Sequence, residues 1–557
     1  MTTIFRRSST RRCVALAVLA GLTIAACASD DDSGGPSGSA TETEDSSDAS
    51  GSSDTPSSSD APSSSDAPAS TEKGVVRVGL DLATQNNNGP TFDPVAATNS
   101  NGTPYDAIWY LVYGRLMRPN LDGSLTPELA TRAEVIDPMT IEIELREGVT
   151  FSDGSPLDAA AVKAALERPI GNRTEGVDGI SDEYYSLESV EVVDPLTARL
   201  SVPDGTAARW FDQFVSSWET SITKPGQTDF SNPIGAGAMK VVSYKPAESM
   251  VLEQNESYWD AESVGVAGYE FLHVLGDQPS SGMAALLSGQ LDVAAADPNQ
   301  LINLDSSVEA FTSLRPDWTI GVHICKADGP LADPRVRQAI NKGIDRDEIN
   351  EKVFQGSGVP QTQIFPDGHQ FHDPALDDVL AYDPEGAREL LKEAGYEDGF
   401  DLTLYSIPYF GLNETAEVFV PQMAEIGITV DFKQGGNYVN DFLVANDRAI
   451  GFYPSTSQGT DILNTWVAED IGNVCHYDDP ELNAIATEMA TVEQTSPEAA
   501  ELWSSASDIV INDALSGFIL YRPAIVVYDP DRVAEIDLWP SGDWLVPDPL
   551  KTSVASD

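Results

Sequence analysis

From Ala28 to Gly74 the chain carries no aromatic and no large aliphatic side chain; it consists almost wholly of Ser, Asp, Ala, Pro, Thr, Glu and Gly. A stretch of this kind cannot bury enough apolar surface to offset the entropy of ordering it. It holds a back-to-back repeat, SSSDAP, at Ser57 to Pro62 and Ser63 to Pro68. Eleven acids against the single Lys73 make it self-repelling, so residues 27–74 are expected to form an extended, disordered spacer. Any fold must be built from Val75 to Asp557, roughly 480 residues, enough for two or three domains by the usual size prior.

Ahead of the spacer, Arg6, Arg7, Arg11 and Arg12 precede the apolar run Cys13 to Ile24, followed by Ala25, Ala26 and Cys27. The run is too short for a membrane span and has the build of an export signal over residues 1–26. Ile24-Ala25-Ala26-Cys27 resembles the lipobox of bacterial lipoproteins, which implies lipidation of Cys27 and anchoring to the outer face of the cell membrane. Thr10-Arg11-Arg12-Cys13-Val14 is loosely similar to a twin-arginine signal, so the export route stays open. No stretch of the body approaches membrane-spanning length.

The whole chain has a net charge of −57. Subtracting the four arginines of the signal and the acidic excess of the spacer leaves about −51 on the body, which makes nucleic acid and acidic ligands poor candidates for partners. The acidity reads as a general solubilising surface. Only Cys325 and Cys475 remain as body thiols. In an oxidising compartment they suggest one disulfide; the alternative is an N2S2 zinc site made with the adjacent His323 and His476.

Short strand-like runs alternate with helical patterns, as in Val75 to Leu80 and the strictly alternating Thr140 to Leu145, which predicts an α/β protein. Asp333-Pro334 and Asp383-Pro384 are helix starts. The second is followed by an apolar face at Ala387, Leu390, Leu391 and Ala394 and by a glycine stop at Gly395. Strands are expected at Asp401 to Tyr405 and Ile428 to Phe432. Gly235-Ala236-Gly237 is no dinucleotide loop, because Lys240 takes the third glycine's place. Ser221 to Lys224 has S-x-x-K spacing without companion motifs, and His369 and His372 sit among Pro366, Gly368 and Pro374 on a loop. No enzyme, cofactor or metal site is expected.

Several segments, in order, resemble family 5 of the bacterial extracellular solute-binding proteins, which includes peptide- and nickel-binding components of ABC importers. They are Phe92-Asp93-Pro94; Val112 to Leu116 with Asp122-Gly123 and Pro127 to Ala130; and Leu145 to Leu157 with the helix beginning at Asp158. Further on come Asn232 to Gly237, Asn255 to Asp260, Gly289-Gln290-Leu291-Asp292, and Gly343-Ile344-Asp345-Arg346. Ala238-Met239 departs from the family's usual Pro-Tyr, which affects only a local turn. The resemblance implies a two-lobed, periplasmic-binding-protein-like fold with a hinge. Lobe I would comprise 75–115, an inserted subdomain at 116–232, 233–319 and a return segment at 501–557, with lobe II at 320–500.

The same resemblance implies a monomer that captures a di- or oligopeptide between its lobes and delivers it to an ABC permease and ATPase complex. A ligand ammonium enclosed in a cleft needs a carboxylate partner. The stretch Gly459-Thr460-Asp461-Ile462-Leu463-Asn464 resembles the loop that supplies it, so Asp461 is the candidate anchor; a helix N-cap is the bland alternative. Phe452 and Tyr453 stand where relatives place an aromatic against the ligand, and Tyr105, Trp109, Trp218 and Trp318 are further aromatic candidates. A nickel or metal-chelate binder is the rival within transport, and a surface enzyme or sensor on the same fold is the rival outside it.

Overall fold

The computed structural model describes residues 73–555 except 83–91, 95–104, 121–123, 172–186, 203–206, 218–219, 275–278, 326–328, 408–410, 435–441, 443–449, 456–462, 464, 468–472, 490, 493–495 and 539–545. Its framework is a mixed sheet running through the whole body. One end is built from Val75–Leu80, Gly268–His273, Ser249–Gln254, Met239–Lys245 and Val293–Ala295. The other end is Ile428–Gln434, Phe400–Ser406 and Ile450–Ser455. Two long strands, Glu309–Ile324 and Ser516–Tyr528, belong to both ends.

These two strands pair antiparallel, but their ladder is interrupted. Glu309 to Leu314 pair with Tyr528 to Pro523, and Thr319 to His323 pair with Tyr521 to Ser516. Four residues, Arg315 to Trp318, therefore stand opposite one, Arg522. Pro316 lies within the break and Pro523 at its edge, and neither has an N–H to give to a ladder.

The apolar cores divide at the same place. Val76, Val78, Trp109, Tyr113, Tyr269, Phe271 and Val526 bury together on one side of the break. Ile320, Val322, Ile340, Phe419, Phe452 and Leu520 bury together on the other. A separate core running from Leu116 to Ala236 belongs to the segment inserted between them, whose four-stranded sheet has the order Ala130–Asp137, Thr140–Leu145, Thr197–Ser201, Ser189–Asp194. The body is thus two lobes with an inserted subdomain, joined by two strands.

Local rules explain most elements. Asp333 and Asp383 cap the helices Pro334–Lys342 and Pro384–Glu393 by accepting from the amides of Arg335 and Gly386, and Gly395 takes the positive φ that ends the second. Thr140–Leu145 buries Ile141, Ile143 and Leu145 on one face. The helix Arg346–Phe354 was not anticipated from the sequence, because its apolar face is short.

One boundary needs correction. The end of lobe II was expected at 500, a position that falls inside the helix Pro497–Asn512. This helix buries Ala499, Trp503, Ala506, Val510 and Ile511 with Cys325, Cys475 and Phe518. The chain therefore returns to the first lobe within Ser516–Tyr528, not at 501, because that helix's apolar stripe has its partners in the second lobe.

Family-like motifs prove to be packing devices. Gly235 and Gly237 lie against the end of the helix Tyr105–Tyr113, where an added Cβ would come 2.0 Å from the Val112 carbonyl and 2.3 Å from that of Leu111. In Gly289 to Asp292 the buried Asp292 accepts from the Arg77 backbone N–H at 2.8 Å and from its Nη2 at 2.5 Å, pinning the first strand. In Gly343 to Arg346 the guanidinium is buried, and no carboxylate among the described residues is bonded to it. It donates instead to the carbonyls of Gln361, Phe518, Asn341, Ile344 and Leu380, and to Asn341 Oδ1. Burial lowers its pKa to about 10, so it stays charged at neutral pH.

Arg346→Met should destabilise the protein by at least about 3 kcal/mol, because several buried acceptors lose their donor together. Chemical denaturation of the pair, with Arg346→Lys as an intermediate case, checks this. A midpoint equal to that of the native chain would contradict it.

Candidate functional site

At the break in the ladder, Asp297 of the first lobe lies within electrostatic reach of Arg522 and of Glu414 of the second lobe. On the first-lobe side, Asp297 precedes the short helix Pro298–Leu301; on the other, Glu414 lies in the first turn of the helix Leu412–Glu425. Asp297 is an exposed residue, yet the pKa of its carboxyl is raised, chiefly by desolvation, with Arg522 opposing and Glu414 adding to the rise. Next to it, Gln355 Nε2 donates to Asn299 Oδ1 across the lobes at 3.3 Å. Gln355 is the left-handed residue that ends the helix Arg346–Phe354.

Ile450–Ser455 lines the second-lobe half of this junction, pairing antiparallel with Glu309–Ile324 so that Phe452 faces Val322 and Ser455 faces Thr319 in register. Phe452 is fully buried and packs edge-on against Phe419, with ring centroids 5.4 Å apart. It is a core residue, and its expected contact with a ligand is corrected accordingly. Trp109 is likewise 1% exposed in the first-lobe core and presents no surface. In both cases the apolar ring satisfies the core first. Tyr453 and Trp318 have their backbones in the two crossing-region strands and Tyr105 opens its helix, but their side chains lie outside the described residues. Asp461, Trp218 and Cys27 lie wholly outside them.

Cys325 and Cys475 are bonded to each other, with Cα atoms 4.7 Å apart. Sulfurs joined in a disulfide are not thiolate ligands, so the N2S2 zinc alternative does not describe this structure. His369 stacks on Phe365, with centroids 4.6 Å apart, and His372 Nδ1 lies 3.1 Å from the Phe365 carbonyl, both in the expected loop. Asp297, Asn299, Gln355, Glu414 and Arg522 were not singled out in the sequence. They are isolated polar residues, far apart along the chain, and no local pattern marks them.

Family 5 of the bacterial extracellular solute-binding proteins, in its middle portion, matches residues 124–468, and the chain belongs to this family. The glutathione-binding protein GsiB of Salmonella paratyphi A is 28% identical over 356 residues, covering 61% of this chain and 67% of that protein. GsiB of Escherichia coli K12 is 26% identical over 358 residues, with the same coverage. Among solved structures, the unliganded open form of the periplasmic murein tripeptide binding protein MppA superposes with a TM-score of 0.71 at 18% identity, covering 87% of this chain and 98% of that one. The ABC transporter substrate-binding protein CtaP of Listeria monocytogenes gives 0.72 at 20%, covering 87% and 100%. NikA of Staphylococcus aureus, in complex with Ni(L-His)2, gives 0.63 at 17%, covering 86% and 100%. These structures share the fold. The protein is a family 5 solute-binding component of an ABC importer.

His323, on the crossing strand, carries a pH signature. Burial pushes its imidazole down to about 3 from 6.5, so between those values the unfolded chain takes up a proton that the folded chain refuses. Stability is therefore lost as the pH falls through this window. His323→Gln should remove up to about 1.4 kcal/mol per pH unit from the slope of stability between pH 6 and pH 4. Denaturation at a series of pH values measures it; parallel slopes would contradict the assignment.

Proposed function

We propose that the chain is the lipid-anchored, extracytoplasmic receptor of its importer and that its solute is a short peptide held between the lobes. The observation that carries this reading is the interrupted pairing of Glu309–Ile324 with Ser516–Tyr528, bordered by polar groups of both lobes. A broken ladder between two separately cored lobes lets them rotate while each stays rigid, and a ligand that contacts both favours the closed arrangement.

An extended peptide suits such a cleft. Its backbone can be satisfied by strand-like hydrogen bonds and its side chains by wet pockets, so many sequences are accepted. Its ammonium requires a carboxylate, and Asp461 is the anchor proposed for it. The relatives whose names speak of glutathione and of a murein tripeptide support a peptide-like solute. Cys27 would hold the body at the membrane, with residues 28–74 as its tether. Binding and release between lobes need no bond-making step, so no catalytic role is assigned.

Thermal unfolding of the chain from Val75 to Asp557, with di- to decapeptides, nickel chelates and sugars in parallel, tests the reading, since a ligand bound only by the folded state raises the melting temperature. Peptides should raise it by several degrees, and Asp461→Ala should abolish the shift. A shift with chelates or sugars alone would reject a peptide solute.

A further inference from the structure

The hydrogen bond from Gln355 to Asn299 hangs, at both ends, from one crossing strand. In the first lobe, Ala296 N–H donates to the Ile525 carbonyl at 3.0 Å, and Asn299 follows shortly after in the helix Pro298–Leu301. That turn is closed on itself, since Asp297 N–H donates to Gln300 Oε1 at 2.9 Å and Gln300 N–H to the Asp297 carbonyl at 2.9 Å. In the second lobe, Val359 and Pro360 pair with Tyr521 and Leu520, and Gln355 stands just before them. The turn between is pinned by Asn350, whose Nδ2 donates to the Gly358 carbonyl at 2.9 Å and whose Oδ1 accepts from the Gly358 amide at 2.9 Å. The two points of attachment, Ile525 and Tyr521, lie on either side of Arg522, the residue opposite the interruption. Rotation at the interruption therefore changes the separation of Asn299 and Gln355.

Gln355 holds its place at a cost. Its φ of 54° lies in the left-handed region, where a residue with a Cβ is strained; the bond across the lobes offsets part of that strain. Beside this amide pair the lobes face each other with like charge. A Cβ added to Gly411, which precedes the helix Leu412–Glu425, would stand 3.2 Å from Phe354 Cζ and 3.4 Å from Val353 Cγ1. The start of that helix and Gln355 thus form one corner of the second lobe. Glu414, in its first turn, disfavours the charged form of Asp297, as a nearby like charge does, and Arg522 at the joint opposes it. One attraction, one repulsion and one compensating cation meet where the lobes can move.

We propose that Asn299 and Gln355 form an interlobe latch which, balanced by the repulsion between Asp297 and Glu414, sets how far the lobes stand apart before any solute is bound. This rests on the reading that the lobes rotate about the interruption; it does not depend on the identity of the solute or on Asp461. The latch is attached close to the joint, so a small change of separation there becomes a larger one at the far ends of the lobes. Apparent affinity falls with the fraction of chains in the binding-competent arrangement. The latch thereby tunes affinity without needing to touch the solute.

Spin labels on p-acetylphenylalanine, introduced in the full-length chain in place of the exposed Lys245 and Lys433, leave the cysteines untouched. The two positions lie in the strands at opposite ends of the mixed sheet, and double electron–electron resonance reads their distance without solute. Asn299→Ala and Gln355→Asn, the second of which tolerates the left-handed backbone, should each lower the population at the distance of this structure, relative to all others, at least about twofold. The double variant should shift no further than either single one, because both remove the same bond. Glu414→Gln, which lifts the repulsion, should move the populations the opposite way. Distributions in all these variants that coincide with that of the native chain would overturn the proposal. Trialanine separates the latch from the reading beneath it. If trialanine changes the distance in the native chain while the solute-free variants do not move, lobe closure stands and the latch falls; if the variants move and trialanine has no effect, the latch stands and the peptide reading loses its support.

Discussion

Everything functional in this molecule depends on one antiparallel pairing, that of Glu309–Ile324 with Ser516–Tyr528. It is the backbone link between two lobes with separate cores, and it fails to hydrogen-bond regularly just where the cores part. Pro316 and Pro523, neither with an N–H to give, stand within it and at its edge. A continuous ladder would have made the body a single rigid sheet; a severed one would have left two independent domains. The interruption of four residues against one gives a joint that is connected and compliant.

Compliance at one place is useful only if the lobes are stiff elsewhere, and buried charge provides much of that stiffness. Arg346 binds carbonyls from four neighbouring segments of the second lobe, including Phe518 on the crossing strand. Asp292 ties Arg77 of the first strand to the chain's return, its own carbonyl accepting from the Asp529 amide at 3.0 Å. At the join with the inserted subdomain, Arg118 pairs at 2.9 Å with Asp548, whose buried carboxyl is raised by desolvation and lowered in turn by the arginine. Such groups are costly to bury and costlier still to leave unpaired, so they favour one arrangement of each lobe over alternatives.

Much of the fold was legible in the sequence because local chemistry and tertiary structure agree. The strands Val75–Leu80 and Thr140–Leu145 match their alternation, and the Asp-Pro helix starts match their caps. Glycines read only as family motif residues turned out to be required by contact with a helix end at Gly235 and Gly237. The site was far less legible. Phe452 and Trp109 looked like binding aromatics, but an aromatic side chain does not declare from sequence whether it faces core or cleft. Asp297, Glu414 and Arg522 meet through the fold alone, since more than a hundred positions separate each from the next. The return crossing was misplaced because the helix Pro497–Asn512 is amphipathic whichever lobe it serves; only its partners show which one it joins.

The central claim is that a peptide is held by closing two rigid lobes about the interrupted pairing. Small-angle X-ray scattering of the body from Val75 to Asp557, with and without saturating trialanine, tests it most directly, with binding verified by calorimetry on the same sample. The account predicts a smaller radius of gyration in the bound state and a return to the free value when the ligand is dialysed away. Confirmed binding with superimposable scattering curves would show that the lobes do not move, and would contradict it.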